Sequence, residues 1–417
     1  MARLSALLLA LTAAAVSVSA KPIVTVRDAP VTLAIARRFN TTGVANLLKA
    51  DQARATVLKA RSQASAASAN VLDAAAAAAD VGVPVTNGAV VYTASVGVGS
   101  PATSYDLIID TGSSNTWIGA GKSYVKTSTS VDTGSRVAVT YGSGSFSGEE
   151  YTDTVTIGSL VIEKQGVGVA SRSSGFSGYD GILGIGPVDL TDGTTSSGGE
   201  IPTVVNAAFA AGSIDANLIG ISFEPTTSLS VTNGELMFGG VDTTKYTGAL
   251  TYVPITSTYP ASAYVGIDQS ITYGSSGTNI LSSTAGITDT GTTLILLASD
   301  ALARYQRATG AVLDNNTGLL RITTAQFASL QSLFFHIGDT TYEFTPNAQI
   351  WPRSLNTAIG GSASSIYLIT ADLGTNSGEG LDFINGYTFL ERFYYVYDSA
   401  NSQVGFATTS FTNATTN

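Results

Sequence analysis

Asp110-Thr111-Gly112-Ser113-Ser114 returns, 179 residues later, as Asp289-Thr290-Gly291-Thr292-Thr293. Each copy follows an apolar stretch, Leu107-Ile108-Ile109 in the first case and Ala285-Gly286-Ile287 in the second. One Asp-Thr-Gly is an ordinary turn in a chain this rich in Thr and Gly, but two copies in matching contexts are far less expected by chance. The repetition predicts two equivalent β-lobes, each with an aspartate at the end of a strand.

A second pair of glycine-containing segments follows the two copies. The first is Asp180-Gly181-Ile182-Leu183-Gly184-Ile185-Gly186, and the second is Leu381-Asp382-Phe383-Ile384-Asn385-Gly386. Both read as a strand that runs into a turn. This second repeated segment strengthens the prediction of two related lobes.

Paired carboxylates give the repeat a chemical meaning. Two carboxylates held a few ångströms apart cannot both be charged cheaply, so one keeps a proton. The charged member can take a proton from a water that attacks a carbonyl carbon, while the protonated member donates to the carbonyl oxygen. Asp110 and Asp289 are therefore the candidate catalytic residues, and which of them carries the proton stays open. Gly112 and Gly291 would let the two turns approach closely.

Hydroxyl residues flank both aspartates. Thr111 and Thr290 are placed to form hydrogen bonds across the junction of the two turns. Ser113 and Thr292 are placed to donate hydrogen bonds to the carboxylates, which favours the charged form. The alternative is that these are ordinary turn hydroxyls.

The composition favours short strands over long helices. Of 417 residues, 44 are glycine and only 12% are charged, and the chain is rich in Ser, Thr and β-branched residues,. We predict an all-β fold class, mainly β with a few short helices. The clearest predicted strands are 90–98, 137–141, 151–157 and 393–397. The predicted short helices are 202–211, 299–308 and 324–330.

Cysteine and histidine usage excludes several classes of chemistry. The chain has no cysteine, which removes disulfides, thiol catalysis and thiolate metal sites,. Its one histidine, His336, reads as a structural residue in a strand that ends at a turn. A catalytic triad or a histidine metal cluster would have to be built around that residue. We therefore predict carboxylate chemistry with no metal and no cofactor.

The first 20 residues have the pattern of a secretory signal. Arg3 precedes an apolar stretch, and Val18-Ser19-Ala20 is a small-residue cleavage site,. A membrane anchor is the alternative, but the stretch is shorter than a spanning helix needs. We expect a secreted, extracellular protein without a membrane partner. The candidate glycosylation sites are Asn40, Asn315 and Asn413,.

A basic segment precedes an acidic body. Residues 21–76 hold eight basic and three acidic side chains, whereas the chain from residue 77 holds 11 basic and 27 acidic ones. Residues 44–63 are predicted as a helix, and the Ala/Ser-rich run of 62–79 suits a cleavable linker. We predict an inhibitory propeptide at 21–78 and a mature domain at 79–417, with lobes at about 85–255 and 256–410. A solvated basic tail is the alternative.

The two Asp-Thr-Gly loops resemble those of the pepsin family of aspartic endopeptidases. Trp117 closes the first loop, and Val139-Thr140-Tyr141-Gly142-Ser143-Gly144-Ser145 resembles the family's hairpin flap. The resemblance covers about residues 90–408. Within the family, the chain is most similar to the cysteine-free, polyporopepsin-like enzymes secreted by basidiomycete fungi.

This resemblance implies two pseudo-symmetric, β-barrel-like lobes with the active site in the cleft between them. It also implies that the flap closes over substrate, that Trp117 supports Tyr141, and that Ile182 lines the pocket before the cleaved bond. Plain burial in the core is the alternative for each apolar residue. The implied flap and substrate-binding residues are Tyr141, Gly142, Ser143, Trp117 and Ile182.

The implied function is that of a secreted endopeptidase, made as a zymogen and active in acid on protein and peptide substrates. We expect a monomer that binds pepstatin-like inhibitors and has no nucleic-acid partner. Ser143 is neutral where some relatives carry an acid, so hydrophobic and aromatic residues are the expected preference at the cleaved bond. Tyr387 stands where relatives often place an aspartate, which we expect to alter the titration of the pair.

Latency has a candidate electrostatic cause in the basic segment. Lys49, Arg54 and Lys59 are the three residues that could pair with the catalytic carboxylates at neutral pH and release them in acid. The sequence does not choose among them.

Two other functions remain open at this level. A pepsin-like fold can serve binding alone, although neither aspartate nor Tyr141 is missing here. A β-rich glycosidase would use Asp110 and Asp289 as its acid and its nucleophile or base.

Overall fold

The computed structural model describes residues 31–39, 47–65, 90–142 and 144–417. In its first half the strands are β1 (Val31–Phe39), β2 (Val90–Val98), β3 (Thr103–Asp110), β4 (Thr116–Ile118), β5 (Val131–Tyr141), β6 (Gly144–Ile157), β7 (Leu160–Ser174), β8 (Gly181–Gly184), β9 (Leu218–Ser222) and β10 (Ser230–Phe238). In its second half they are β11 (Thr251–Pro254), β12 (Gly266–Tyr273), β13 (Thr278–Asp289), β14 (Ile295–Leu297), β15 (Val312–Leu313), β16 (Leu320–Ile322), β17 (Leu333–Ile337), β18 (Thr340–Phe344), β19 (Ile366–Tyr367), β20 (Thr370–Asp372), β21 (Phe383–Gly386), β22 (Phe393–Asp398) and β23 (Gln403–Thr408).

Helices are few and mostly short, as the composition predicts. The α-helices are α1 (Leu47–Ser65), α2 (Val204–Ala210), α3 (Ser299–Thr309), α4 (Thr324–Ala328) and α5 (Tyr387–Leu390), and short 3₁₀ helices lie at 188–191, 261–263 and 353–359. The mainly β fold class is confirmed, and each of the four clearest predicted strands falls in an observed strand. The predicted helix 44–63 is α1, of which residues 44–46 lie outside the described residues.

One large sheet joins the two halves of the chain. Its strands run in the order β11-β23-β22-β9-β10-β1-β2-β3-β8-β4-β7-β6-β5. The C-terminal strand β22 pairs antiparallel with β9, so strands from both halves of the sequence share a continuous set of hydrogen bonds. A second sheet, β18-β17-β12-β13-β21-β14-β20, and a small one, β15-β16-β19, complete the second half.

The internal echo of the sequence appears as a repeated three-strand pattern. In the first half β3 pairs parallel with β8, which pairs antiparallel with β4. In the second half β13 pairs parallel with β21, which pairs antiparallel with β14. The register places Asp110 beside Gly184 and Asp289 beside Gly386. Both aspartates therefore end a buried central strand that is held by the glycine segment of the echo.

Strand β1 lies inside the large sheet and was not predicted from the sequence. It pairs antiparallel with β10 on one side and with β2 on the other. Although it belongs to the basic N-terminal segment, it contributes a full strand to the sheet shared by the two halves.

Candidate active site

Asp110 and Asp289 face each other across the junction of the two halves. Their side chains are buried, with exposed fractions of 1% and 0%. A β carbon at Gly112 would come within 2.8 Å of Asp289 Oδ1, and one at Gly291 within 2.6 Å of Asp110 Oδ1. Glycine is therefore required at both positions, because any side chain there would meet the opposite carboxylate.

Each carboxylate receives the same two local hydrogen bonds. For Asp110, the Gly112 amide donates to Oδ1 (3.0 Å) and the Ser113 hydroxyl to Oδ2 (2.6 Å). For Asp289, the Gly291 amide donates to Oδ1 (3.0 Å) and Thr292 Oγ1 to Oδ2 (2.5 Å). Ser113 and Thr292 thus donate as the sequence predicted, and these bonds favour the charged form of each aspartate.

Thr111 and Thr290 connect the two loops reciprocally. The Thr111 amide donates to Thr290 Oγ1 (2.9 Å), and the Thr290 amide donates to Thr111 Oγ1 (3.0 Å). Thr290 Oγ1 in turn donates to the carbonyl of Ile109 (3.1 Å), and Thr111 Oγ1 lies 3.4 Å from the carbonyl of Thr288. The hydrogen bonds predicted across the junction are present.

The two carboxyl groups have opposite pKa shifts. Burial, together with the charge of Asp289, raises the pKa of Asp110 above its ordinary value despite the nearby Arg54 guanidinium. Burial also acts to raise the pKa of Asp289, but Arg54 and the bonds from Thr292 and Gly291 outweigh it, so the pKa of that carboxyl is lowered. The pair therefore favours one proton and one charge.

Arg54 of α1 occupies the space directly in front of both aspartates. Its Nε donates to Asp289 Oδ2 (2.6 Å), and its Nη2 donates to Asp289 Oδ1 (2.9 Å) and to Asp110 Oδ1. Of the three basic candidates, Arg54 is the one at the carboxylates. Lys59 instead pairs with Glu379 at 3.0 Å, and Lys49 is exposed.

Helix α1 has further contacts along the same surface, which were not predicted from the sequence. Asp51 is buried and accepts hydrogen bonds from the amides of Thr293 (3.3 Å) and Leu294 (2.8 Å). Tyr264 donates to the carbonyl of Leu58 (2.6 Å). The helix is thus attached by side chains and by backbone groups on both sides of Arg54.

The predicted flap is the hairpin of β5 and β6. Tyr141 at its end is 5% exposed and packs against Trp117, with ring centroids 6.3 Å apart. A β carbon at Gly142 would overlap the backbone of Arg54, so the flap lies directly on α1. Ser143 lies outside the described residues. Ile182 is 2% exposed and is paired in register with Trp117.

Other predicted residues lie away from the pair. Asn315 and Asn413 are exposed, whereas Asn40 lies outside the described residues. His336 lies between the hydroxyls of Thr272 and Thr341, each at 2.9 Å, in strand β17.

Tyr387 contacts residues of β1 and β2. Its ring is 5.5 Å from the guanidinium carbon of Arg37 and 5.7 Å from the ring of Tyr92. Its expected effect on the titration of the aspartate pair stays a prediction.

No group of three or more histidines, aspartates or glutamates among the described residues is placed to hold a metal ion. Of the helices within 47–65 and 90–417, none is both long and apolar enough to cross a membrane.

Comparisons with known proteins agree with this geometry. Residues 91–409 match the family described as eukaryotic aspartyl protease. The chain is 71% identical to polyporopepsin of Irpex lacteus over 337 residues, and this alignment covers 80% of this chain and 99% of that protein. It is 33% identical to rhizopuspepsin-1 of Rhizopus niveus over 332 residues, covering 76% of this chain and 78% of the relative. The crystal structure of the aspartic proteinase from Irpex lacteus is similar, with a TM-score of 0.77, 71% identity, and coverage of 78% of this chain and 96% of that one.

Proposed function

The chain belongs to the eukaryotic aspartyl protease family and is a pepsin-like aspartic endopeptidase, and on that premise we propose that it is a secreted zymogen whose catalytic pair is Asp110 and Asp289. This membership excludes a glycosidase, and the presence of both aspartates and of Tyr141 argues against a binding-only protein. The proposal assigns secretion to residues 1–20, latency to 21–78, and hydrolysis of proteins in acid to 79–417.

The observation that carries the catalytic assignment is a shared point of contact. One nitrogen of Arg54 hydrogen-bonds Oδ1 of both aspartates. A water in that position would touch both carboxylates once Arg54 has left. The charged carboxylate would then take a proton from the water as it attacks the peptide carbonyl, and the other would donate to the carbonyl oxygen. The flap above this point carries Tyr141 and Gly142, to which we assign contacts with substrate.

Latency follows from the same contact. While Arg54 lies on the carboxylates, neither a water nor a peptide can reach them, and α1 fills the space beneath the flap. Acid protonates the carboxylates and weakens their hydrogen bonds with the guanidinium. We therefore propose that the segment 21–78 is an intramolecular inhibitor, released in acid and then removed.

The remaining assignments follow from the surroundings of the pair. Tyr141 packs on the aromatic rings of Trp117 and Phe176, so the cleft wall beside the flap is apolar. We propose a preference for hydrophobic and aromatic residues at the cleaved bond, which cleavage of a peptide library mainly after lysine would overturn. We also propose a monomer that is inhibited by pepstatin-like compounds and glycosylated at Asn315 and Asn413.

An acid digest of a denatured protein tests the catalytic assignment. Wild type, Asp110→Asn and Asp289→Asn are compared after the same acid treatment, with Asp339→Asn as a control on an exposed aspartate. We expect either active-site variant to lose about 10³-fold or more in rate, and the control to match wild type. Equal rates for Asp289→Asn and wild type would refute the mechanism.

A further inference from the structure

A buried tyrosine lies beneath the loop of Asp289. Tyr395, in strand β22 of the sheet shared by the two halves, has no exposed surface, and its hydroxyl is 2.8 Å from Thr288 Oγ1. Thr288 is the residue immediately before Asp289. The phenol therefore contacts the residue that leads into Asp289 from the sheet shared by the two halves.

The direction of this hydrogen bond follows from counting protons. Thr288 has one hydroxyl proton, and Oγ1 donates it to the carbonyl of Val265 at 3.0 Å. Tyr395 must then be the donor to Thr288. Burial raises the pKa of Tyr395 well above its ordinary value, so the phenol keeps this proton at every pH at which an acid protease works,.

The contact is asymmetric between the two loops. The residue before Asp110 is Ile109, whose side chain has no hydroxyl, whereas the residue before Asp289 has one. Thr288 is also held through its amide, which donates to the carbonyl of Val265 at 3.0 Å. The hydroxyl contacts of Thr288 with Tyr395 and Val265 therefore have no side-chain counterpart at Ile109.

We propose that Tyr395 is a positioning residue for the reaction: its hydroxyl holds Thr288, and through it the Asp289 loop, against the sheet shared by the two halves. The inference rests on the proposed role of Asp110 and Asp289. Tyr395 would not touch substrate. Its effect is on where the Asp289 carboxyl lies relative to the Asp110 carboxyl.

Tyr395→Phe tests the proposal in the full chain after acid treatment, with active enzyme counted by titration with a tight-binding pepstatin-like inhibitor. The ring and its packing on Phe406, at 5.7 Å, are retained, and only the hydroxyl is lost. We expect kcat to fall about 3- to 10-fold with KM within about twofold of wild type. We also expect the acidic limb of the pH profile to move to higher pH, because a looser loop weakens the bonds that keep Asp289 charged.

Matched variants separate positioning from loss of stability. Tyr305→Phe removes another buried tyrosine hydroxyl, which donates to Gln349 at 2.8 Å, and should lower Tm while leaving kcat and the pH profile unchanged. Thr288→Val should reproduce the effect of Tyr395→Phe. Thr288→Ser retains the hydroxyl and should keep the wild-type kcat and pH profile. Tyr395→Phe combined with Thr288→Val should be no worse than the more impaired single variant.

The outcomes are distinguishable. A wild-type kcat and pH profile in Tyr395→Phe would overturn the inference, as would equal losses in Tyr395→Phe and Tyr305→Phe. If Tyr395→Phe does not fold, Thr288→Val compared with Thr288→Ser decides in the same way, since identical kinetics for these two would overturn it. An active Asp289→Asn would refute the proposed function itself.

Discussion

Arg54 matches the aspartate pair in both charge and geometry. A guanidinium presents several N–H groups in one plane, and Arg54 directs them at two carboxylates that are otherwise covered,. A lysine ammonium is a compact point charge and does not present this planar fork. The Arg54 side chain therefore blocks the two carboxylates as an electrostatic plug, through directed hydrogen bonds as well as through its charge.

Removing this charge should weaken latency. In Arg54→Met the two carboxylates would remain buried under α1 without a cation, which costs about 3–5 kcal/mol when one partner of a buried ion pair is lost. We expect a fluorescent pepstatin-like inhibitor to bind this precursor about 100-fold or more tightly than the wild-type precursor near neutral pH. Lys49→Met, an exposed cation on the same helix, is the control. Equal binding by Arg54→Met and wild type would contradict the electrostatic plug.

Asp51 has the opposite pH dependence to the plug. Burial raises its pKa to about 7 from an ordinary value of 3.8, only partly offset by the amides of Leu294 and Thr293 and by Arg54. A raised pKa means that docking favours the protonated form. The stabilisation from this group is therefore complete below about pH 4 and is lost as the pH rises through 7,. Asp51 should weaken the docked precursor as the pH rises from about 4 to about 7 and should not promote release in acid,.

Asp51→Asn checks this sign. The variant cannot ionise, so the difference in free energy of unfolding between this precursor and wild type should grow in favour of the variant from about pH 4 to about pH 7, at up to about 1.4 kcal/mol per pH unit, and stay constant at higher pH,. Asp339→Asn should show a constant difference from wild type. The measurement is urea unfolding of both precursors from about pH 5 to about pH 9. A margin that does not change with pH would show that Asp51 is not the responsible group.

The candidate site was predictable where the chemistry is repeated in the sequence. Two matching motifs identify Asp110 and Asp289, and the same motifs contain the glycines and the hydroxyl residues that contact them. The cation at the carboxylates could only be narrowed to three candidates, of which Arg54 is one. The sequence alone does not show which face of α1 meets the cleft. Asp51 and Tyr395 were missed, because a lone acid in a basic helix and a tyrosine in a strand read as a surface residue and a core residue.

At the scale of elements, β1 connects the basic segment to the core of the molecule. Arg37 in this strand is 1% exposed and pairs with the buried Glu391 at 3.5 Å. Tyr92 also donates to Glu391, at 3.1 Å. Burial raises the pKa of Glu391, an effect that Arg37 and Arg392 partly offset. The strand is thus attached by a buried charge pair in addition to its backbone hydrogen bonds.

Breaking the charge pair should destabilise the precursor. In Arg37→Met, Glu391 would be left buried without its closest cation, which costs about 3–5 kcal/mol. We expect a lower midpoint of urea unfolding for this variant. Arg37→Met combined with Glu391→Gln should recover much of the loss, because no uncompensated charge remains. If the double variant is as unstable as the single one, packing of the arginine stem is the cause instead.

The elements show why local sequence predicted most of the fold but not β1. Strands β2 and β22 are rich in β-branched and aromatic residues, and their bounds were predicted to within one residue. Strand β1 carries two consecutive arginines just before its last residue, Phe39, and such a pair is typical of a solvent-exposed segment. Its pairing partners are distant in sequence, as in Val31 with Phe238, and the counter-charge for Arg37 is 354 residues away. Such pairing depends on tertiary contacts that no local window contains.

At the scale of the whole molecule, the N-terminal segment binds the rest of the chain at two separate places. Strand β1 lies in the sheet shared by the two halves, and α1 lies in the cleft over the aspartates. The segment is basic and the body is acidic, with 27 acidic against 11 basic residues from residue 77 onward. Acid neutralises the body but leaves the arginines charged, so the attraction between the two parts falls as the pH falls. Separation should therefore involve both contacts.

Acid treatment of wild type and of the Asp289→Asn precursor should show how separation leads to the mature form. We expect wild type in acid to shorten to a form that begins near residue 79, beyond α1, as read by N-terminal sequencing and mass. Asp289→Asn alone should stay at full length, because undocking exposes the linker but no catalytic pair is present to cut it. Adding a trace of activated wild type should convert it, because we expect the undocked segment to be open to cleavage by a second enzyme molecule. An active form that retains α1, or unaided shortening of Asp289→Asn, would contradict inhibition and removal of the segment by this enzyme.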